Sequence, residues 1–366
     1  MRTAVLSDLH LGSRTRIDLL RRQGPREALA RALVGVDQLV LLGDAIELRD
    51  RPIADALHAA RPFLECVGGA MRGGRVVIVP GNHDHRLASE ALELGRRERR
   101  RALSVVHEVR PGRSGTLAAI RDVVGGDVVL CYPGFWISDG IWATHGHYLD
   151  AHSAAPTFEC AATAVVARAR RSSPGDHGPG VYEDVLWPTY ELFYAIAQRR
   201  RLQRIADGGK RVVRAVEGWL GMRGPPRSEG RSRRRTAGAG ARALVIGGGR
   251  LPLAAGEVRR PGVLPFARVL QTLGVEADRV LFGHTHRTGP VAGDDPALWR
   301  TAAGTALHNT GNWVDEPAYH GGRVDSPYWP GTLTLIESGG TPQVTRVLSG
   351  PGRHACTDPA PVSDPA

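Results

Sequence analysis

The 366-residue chain reads as a layered α/β protein. Three observations predict that class. Short, continuous apolar runs alternate with longer segments of helical periodicity, the pattern of buried strands covered by helices. Five of those runs stop at turns crowded with Asp, Asn and His. No stretch reaches the roughly 18 consecutive apolar residues of a membrane span, and a hydrophobic fraction of 42% is ordinary for a globular chain.

The elements follow in order. Arg2–Leu6 is an apolar run that ends in Ser7-Asp8-Leu9-His10. Helical spacing follows over Pro25–Leu33, and a second run, Gln38–Leu42, ends in Gly43-Asp44. A longer helix is expected over Ile53–Met71. The β-branched run Arg75–Val79 ends in Pro80-Gly81-Asn82-His83-Asp84. Strands are expected at Ser104–Val109, Asp127–Tyr132 and Gly140–Thr144, the last running into His145-Gly146-His147. Arg279–Phe282 leads into Gly283-His284-Thr285-His286, and strands near Ala306–Asn309, Thr332–Ile336 and Val344–Val347 complete the series.

Residues 151–277 break this rhythm and are expected to form a largely helical insertion between two motif-bearing strands. Leu186, Tyr190, Phe193, Tyr194 and Ala197 share one helical face there. Arg223–Gly240 is rich in Arg, Gly, Ser and Pro and reads as a loop. Between Arg199 and Arg242 stand fourteen basic and three acidic residues, which account for the whole formal charge of +11. The rest of the chain is formally neutral, which argues against an extended nucleic-acid groove on the main body. The Pro-rich tail, residues 350–366, is expected to be disordered. The expected domain is therefore residues 1–150 plus 278–349, with the insertion between them.

The five strand-end motifs carry the chemistry. In open α/β sheets, sites assemble beyond the carboxyl ends of strands. Seven of the fourteen histidines lie in or directly beside these motifs. In extended backbone, residues i and i+2 point the same way, so Asp8 with His10, and His284 with His286, can face one point. Carboxylate, imidazole and amide oxygen together suit Mn²⁺, Fe or Zn²⁺. Asp44 can bridge two ions through its two oxygens. Two ions about 3.5–4 Å apart can hold a hydroxide between them and clamp phosphoryl oxygens.

The order SDLHLG, LLGDAIE, VPGNHDH, ATHGH and FGHTHR resembles the calcineurin-like metallophosphoesterase superfamily. The likeness spans roughly residues 1–150 and 278–340. It implies a four-layer sandwich of two mixed sheets flanked by helices, and hydrolysis of a phosphate ester or anhydride at a pair of divalent cations, Mn²⁺ first and Fe or Zn²⁺ as alternatives. Position by position, it implies that Asp8, His10 and His286 hold one ion, that Asp44 bridges, and that Asn82, His145 and His284 hold the other. His83 matches the catalytic histidine, and Asp84 is expected to orient it. One departure stands out: where the family often has G-D-x-x-D, this chain has Gly43-Asp44-Ala45-Ile46-Glu47. That Glu is similar to the UDP-diacylglucosamine pyrophosphatases of lipid A synthesis, which however typically carry Arg where this chain has His83.

His85 and His147 sit inside motifs but outside the implied ligand set. The four cysteines are scattered without metal-type spacing and read as free thiols. The N-terminus has no signal-peptide core, so a cytoplasmic location is expected. Expected partners are a phosphorylated small molecule or lipid-linked substrate. The Arg-rich segment leaves nucleic acid as an alternative, and the aromatic helix face leaves peripheral membrane contact as another.

Overall fold

A computed structural model of the chain describes residues 1–152, 177–199, 263–338 and 340–348, and the backbone of 245–246 and 249–250. The apolar runs become strands. β1 (Thr3–Leu6), β2 (Gln38–Leu42) and β3 (Arg75–Val79) lie parallel and side by side, each joined to the next through a helix. β4 (Val106–Val109) pairs antiparallel with β5 (Asp127–Ser138), which pairs parallel with β3 and antiparallel with β6 (Ile141–Thr144). Val245–Ile246 (β7) and Gly249–Arg250 (β8) form a separate ladder. β9 (Arg279–Phe282) lies parallel to β6, followed by β10 (Thr288–Gly289), β11 (Ala306–Thr310), β12 (Thr332–Ile336) and β13 (Gln343–Arg346).

Hydrogen bonding joins eleven strands in one curled path, β10-β11-β9-β6-β5-β3-β2-β1-β12-β13, with β4 on β5. The hydrogen bonding is continuous because β5 runs on beyond Tyr132. Its first residues pair with β3, and Gly134–Ser138 pair with β6. Pro133 and Gly134, which read as a strand end in sequence, sit where the strand changes partner. A proline lacking its N–H is tolerated at such a transfer point. A side chain on Gly134 would collide with the Trp142 ring at 2.4 Å.

The helices are α1 (Gln23–Ala32), α2 (Ile53–Ala70), α3 (His85–Leu92), α4 (Arg97–Arg101), α5 (Thr116–Val124), α6 (Gly180–Ala197), α7 (Val263–Leu273) and α8 (Pro317–His320). Strand alternation sends Leu39 and Leu41 of β2 to one face and Val40 and Leu42 to the other. Leu39 and Leu41 join Val76, Ile78 and Leu130 under α2 and α5, against Phe63, Leu64, Val67 and Ile120. Val40, Leu42, Val77 and Val129 meet Phe135, Ile141, Ala143 and Leu281 from the other half of the sheet. Trp142, Val280, Phe282 and Leu307 face Phe266, Val269 and Leu270 of α7 and Leu186 and Tyr190 of α6. On α2 the buried Ala56, Ala60, Phe63, Leu64 and Val67 repeat at helical spacing. Truncating the fully buried Phe63 to Ala would cost about 3–5 kcal/mol.

The stretch expected as an insertion thus contributes two described helices, α6 and α7, both packed on the body. The Arg-rich loop and the Pro-rich tail fall outside the described residues. Cys66 and Cys131 are free thiols; Cys160 and Cys356 also fall outside. No helix among the described residues is long and apolar enough to cross a membrane.

Candidate metal centre

Five strand-end turns converge, and backbone hydrogen bonds lock them together. Asp8 N–H donates to Gly43 O at 3.1 Å, and the amides of Leu9 and His10 donate to Asp44 O at 3.0 and 2.8 Å. Gly283 N–H donates to His145 O at 2.9 Å. His284 N–H donates to the Asp8 carboxylate at 3.0 Å, tying the last turn to the first. His83 N–H donates to Asp44 Oδ1 at 2.8 Å, tying the third to the second.

The turns carry backbone strain. Seven non-glycine residues among those described have positive φ: Asp8, His10, Arg16, Asp44, Glu93, His284 and His286. Five of the seven are the side chains that the sequence nominates as ligands. Left-handed backbone at non-glycine residues persists only where surrounding structure over-determines it, and it concentrates at functional sites. Here it turns each side chain back toward a common point. Glycines make room around that point. A Cβ on Gly81 would lie 2.4 Å from Asp44 Oδ1 and 2.7 Å from His145 Nε2, and one on Gly43 would strike the His145 ring at 2.1 Å.

Three ligand groups result among the described residues: the two implied by the sequence, and a third in which His10 and Asp44 meet His83. Asp8, His10 and His286 present ligand atoms within 4.8 Å of one another, and so do Asp44, His145 and His284. Asp44 links them. Its Oδ2 lies 3.6 Å from His10 Nε2 on one side and 3.3 Å from His145 Nε2 on the other. Asp44 was expected to bridge through both oxygens. In the structure Oδ1 accepts from the His83 amide, and Oδ2 is the oxygen set against His10 and His145.

Each of the four imidazoles has one ring nitrogen tied to an outer acceptor, and in His10, His145 and His286 the other is aimed inward. His145 Nδ1 donates to Leu42 O at 3.1 Å, His10 Nδ1 to Glu47 Oε2 at 3.1 Å, His286 Nδ1 to Glu316 Oε2 at 3.3 Å, and His284 Nε2 to Asp150 Oδ1 at 2.8 Å. This is how metal-binding histidines are held, with tautomer and ring orientation set by an outer partner. Inward, His10 Nε2 and His286 Nε2 stand 3.2 Å apart, and His286 Nε2 is 3.4 Å from Asp8 Oδ1. At that separation the two nitrogens share a proton or, in its place, a metal cation. Asn82 faces a similar choice. Its Oδ1 sits 3.2 Å from His145 Nε2 among acceptors only, although turning the amide over would give its nitrogen hydrogen bonds to His145 Nε2 and Asp44 Oδ2. A bound cation would favour the oxygen-inward orientation instead. The donor set therefore fits a pair of divalent ions.

Electrostatics agree. His10 is deeply buried, which alone would lower its pKa, yet Glu47, Asp44 and Asp8 raise it to about 10. His145 is likewise lifted to about 9, with Asp44 outweighing burial. Burial alone would raise the Asp44 carboxyl, but His145, His83 and His10 hold it well below its ordinary range. The pocket draws positive charge, and metal ions would take the place of those protons.

His83 stands at the rim, with its side chain 24% exposed. Asp84 was expected to orient it and does not. The Asp84 carboxylate is fully buried and accepts from the amides of Gly81 at 2.6 Å, Ala45 at 2.8 Å, Asp44 at 3.2 Å and Ile46 at 3.4 Å. It welds the second and third turns together. Burial and the neighbouring Asp44 charge raise its pKa to about 6, with the amides opposing. The partner of His83 is Glu47, whose Oε2 is 2.7 Å from His83 Nδ1 as well as 3.1 Å from His10 Nδ1.

His85 and His147 are buried and join Glu183 of α6. The Glu183 carboxylate, with no exposed surface, takes hydrogen bonds from Tyr132 OH at 2.6 Å and Tyr148 OH at 2.7 Å, and pairs with His85 Nε2 at 3.0 Å. Tyr132 OH also lies 3.1 Å from His147 Nε2. This network pins α6 beside the centre. Sequence reading did not find the parts of Glu47, Asp150, Glu316 and Glu183. Glu47 and Asp150 lie close to motifs and carried a faint signal; Glu316 and Glu183 carried none.

The model of the calcineurin-like phosphoesterase family matches residues 1–192. The chain belongs to the calcineurin-like phosphoesterases. It is thus a hydrolase of phosphoric ester bonds, from a family that typically uses divalent metals. A comparison with curated proteins found none that matches. The family match ends before the last motif, so the placement of His284 and His286 beside Asp8 and Asp44 comes from the tertiary structure.

Proposed function

We propose that this calcineurin-like phosphoesterase hydrolyses a phosphate ester or anhydride at two divalent cations, Mn²⁺ foremost. Asp8, His10 and His286 would hold one ion, Asn82, His145 and His284 would hold the other, and Asp44 would serve both. The observation that carries this reading is Asp44 Oδ2 lying 3.6 Å from His10 Nε2 and 3.3 Å from His145 Nε2, with four histidines each held through one ring nitrogen by an outer acceptor. When bound, such a pair lowers the pKa of water toward about 7 and clamps phosphoryl oxygens.

The chain's own side chains supply the rest. Glu47 fixes the His83 ring through Nδ1, leaving Nε2 at the rim to carry a proton to the leaving group. Asp84 keeps the second and third turns in register so that Asp44 and Asn82 stay in place. Asp150 and Glu316 hold His284 and His286. We also read the curled sheet as two stacked halves between helices, supported by the three apolar clusters. The catalytic body then comprises residues 1–150 and 278–349. The substrate is a phosphorylated small molecule or lipid-linked compound selected by the region around α6.

The test is Asp44→Asn. Metal content by elemental analysis and turnover of bis(p-nitrophenyl) phosphate are expected to fall together. A variant that kept both ions and full turnover would refute the shared-ligand reading.

A further inference from the structure

We propose that Asn309 and Asn312 are positioning residues that set His284 and His286 separately, so that each asparagine governs one of the two cation positions. This rests on the two-cation reading above and extends it to residues outside the ligand set. The turn Gly283-His284-Thr285-His286 needs support from outside. His284 and His286 both have left-handed backbone, with φ of 68° and 56°, and such conformations at non-glycine residues persist only where neighbours enforce them. Backbone contacts supply part of that support: His284 N–H donates to the Asp8 carboxylate, and Thr285 N–H donates to Gly283 O at 2.7 Å.

The end of β11 supplies the rest. Asn309 Nδ2 donates to Gly283 O at 3.1 Å and to Thr285 Oγ1 at 2.7 Å, gripping the residues on either side of His284. Asn312 Nδ2 donates to the carbonyl oxygen of His286 itself at 2.6 Å. Each carboxamide is fixed at its other end. Gly311 N–H donates to Asn309 Oδ1 at 3.1 Å and Val314 N–H to Asn312 Oδ1 at 3.0 Å, which decides the orientation of both amides and aims their NH₂ groups at the turn. Gly311, with φ of 84°, bends the chain between them, and a Cβ there would strike Thr332 Oγ1 at 2.2 Å. Both asparagines are buried, so removing either takes buried hydrogen bonds from the turn. Their neighbours divide along the same line. Beyond Asn312, Trp313 N–H donates to Asp8 O at 3.0 Å and Glu316 holds the His286 ring, so this segment serves the side of Asp8 and His286. Asn309 acts with Asp150, which holds the His284 ring.

The test is a Mn²⁺ titration of metal-free protein, read from the electron paramagnetic resonance of free Mn²⁺, with His284→Ala and His286→Ala marking which binding step belongs to which position. Asn312→Ala is expected to weaken the step lost in His286→Ala by about 10–100-fold, the loss typical of an outer partner, and to leave the other step in place. Asn309→Ala is expected to do the reverse. Asn312→Ser and Asn309→Ser are too short for the same reach and serve if an Ala variant does not fold. A general loss of packing would weaken both steps alike, so that result overturns the assignment, as does the same step weakened in both variants or no change in either. Wild-type protein that takes up fewer than two Mn²⁺ sinks the two-cation reading and the assignment with it; two wild-type steps that ignore both asparagines sink the assignment alone.

Discussion

Replacing Glu47 by Gln removes one negative charge from a point where two functional rings meet. Glu47 Oε2 accepts from His10 Nδ1 at 3.1 Å and from His83 Nδ1 at 2.7 Å, and its side chain is only 3% exposed. Burial alone would raise its pKa, and the two histidines hold it well below the ordinary range, so the carboxylate is charged at neutral pH. Loss of an outer partner of a metal-binding histidine typically lowers metal affinity or activity by about 10–100-fold, or about 1.4–2.8 kcal/mol. On the proposed function, one substitution loosens both a ring that would bind metal and the ring that would donate the proton. Mn²⁺ affinity, followed through the electron paramagnetic resonance of free Mn²⁺, should fall within that range, and kcat should fall further on esters with poor leaving groups. Glu47→Asp is one methylene shorter and should keep one of the two contacts, with an intermediate loss. If Glu47→Gln leaves metal affinity and kcat at wild-type values, Glu47 does not organise the site.

Three further outcomes are expected. His83→Ala should retain metal while slowing turnover by roughly 10²–10⁴-fold; metal lost in step with turnover would make His83 a ligand instead. Gly81→Ala forces a methyl to within 2.4 Å of Asp44 Oδ1 and should cost about 1–3 kcal/mol by overpacking, along with metal binding, as read by thermal melting and elemental analysis. The Glu183 carboxyl would be raised by burial but is lowered overall by His85, Tyr132 and Tyr148. Its stabilisation is therefore complete above the unfolded value of about 4.3 and is lost as pH falls through the folded value. Glu183→Gln should flatten the acid limb of stability against pH in urea unfolding, and an unchanged limb would contradict the role assigned to that pair.

The local code was legible without coordinates. Apolar runs at Arg75–Val79 and Arg279–Phe282 became strands with those bounds, because continuous β-branched and leucine-rich runs between helices have no other good burial. The residue types that meet in the candidate centre were legible too, since Asp, Asn and His at strand ends are costly unless they find partners. The extension of β5 was not, because Pro133-Gly134 carries a local stop signal that long-range pairing with β6 overrides. Asp84 was misassigned for a related reason. Adjacency to His83 in sequence suggested a partner, whereas its carboxylate points back into four amides of two turns.

By itself, then, the sequence determined which side chains could hold cations and on which strand ends they stand, because hydrophobic periodicity and ligand chemistry are local properties. Only the tertiary structure decided that one oxygen of Asp44 faces both His10 and His145, that Glu47 contacts two histidines, and that Glu183 pins α6 beside them. Those facts depend on which nitrogen or oxygen faces which neighbour across distant turns. Such orientations are set by packing and by left-handed backbone at five ligand positions, and no spacing along the chain encodes them.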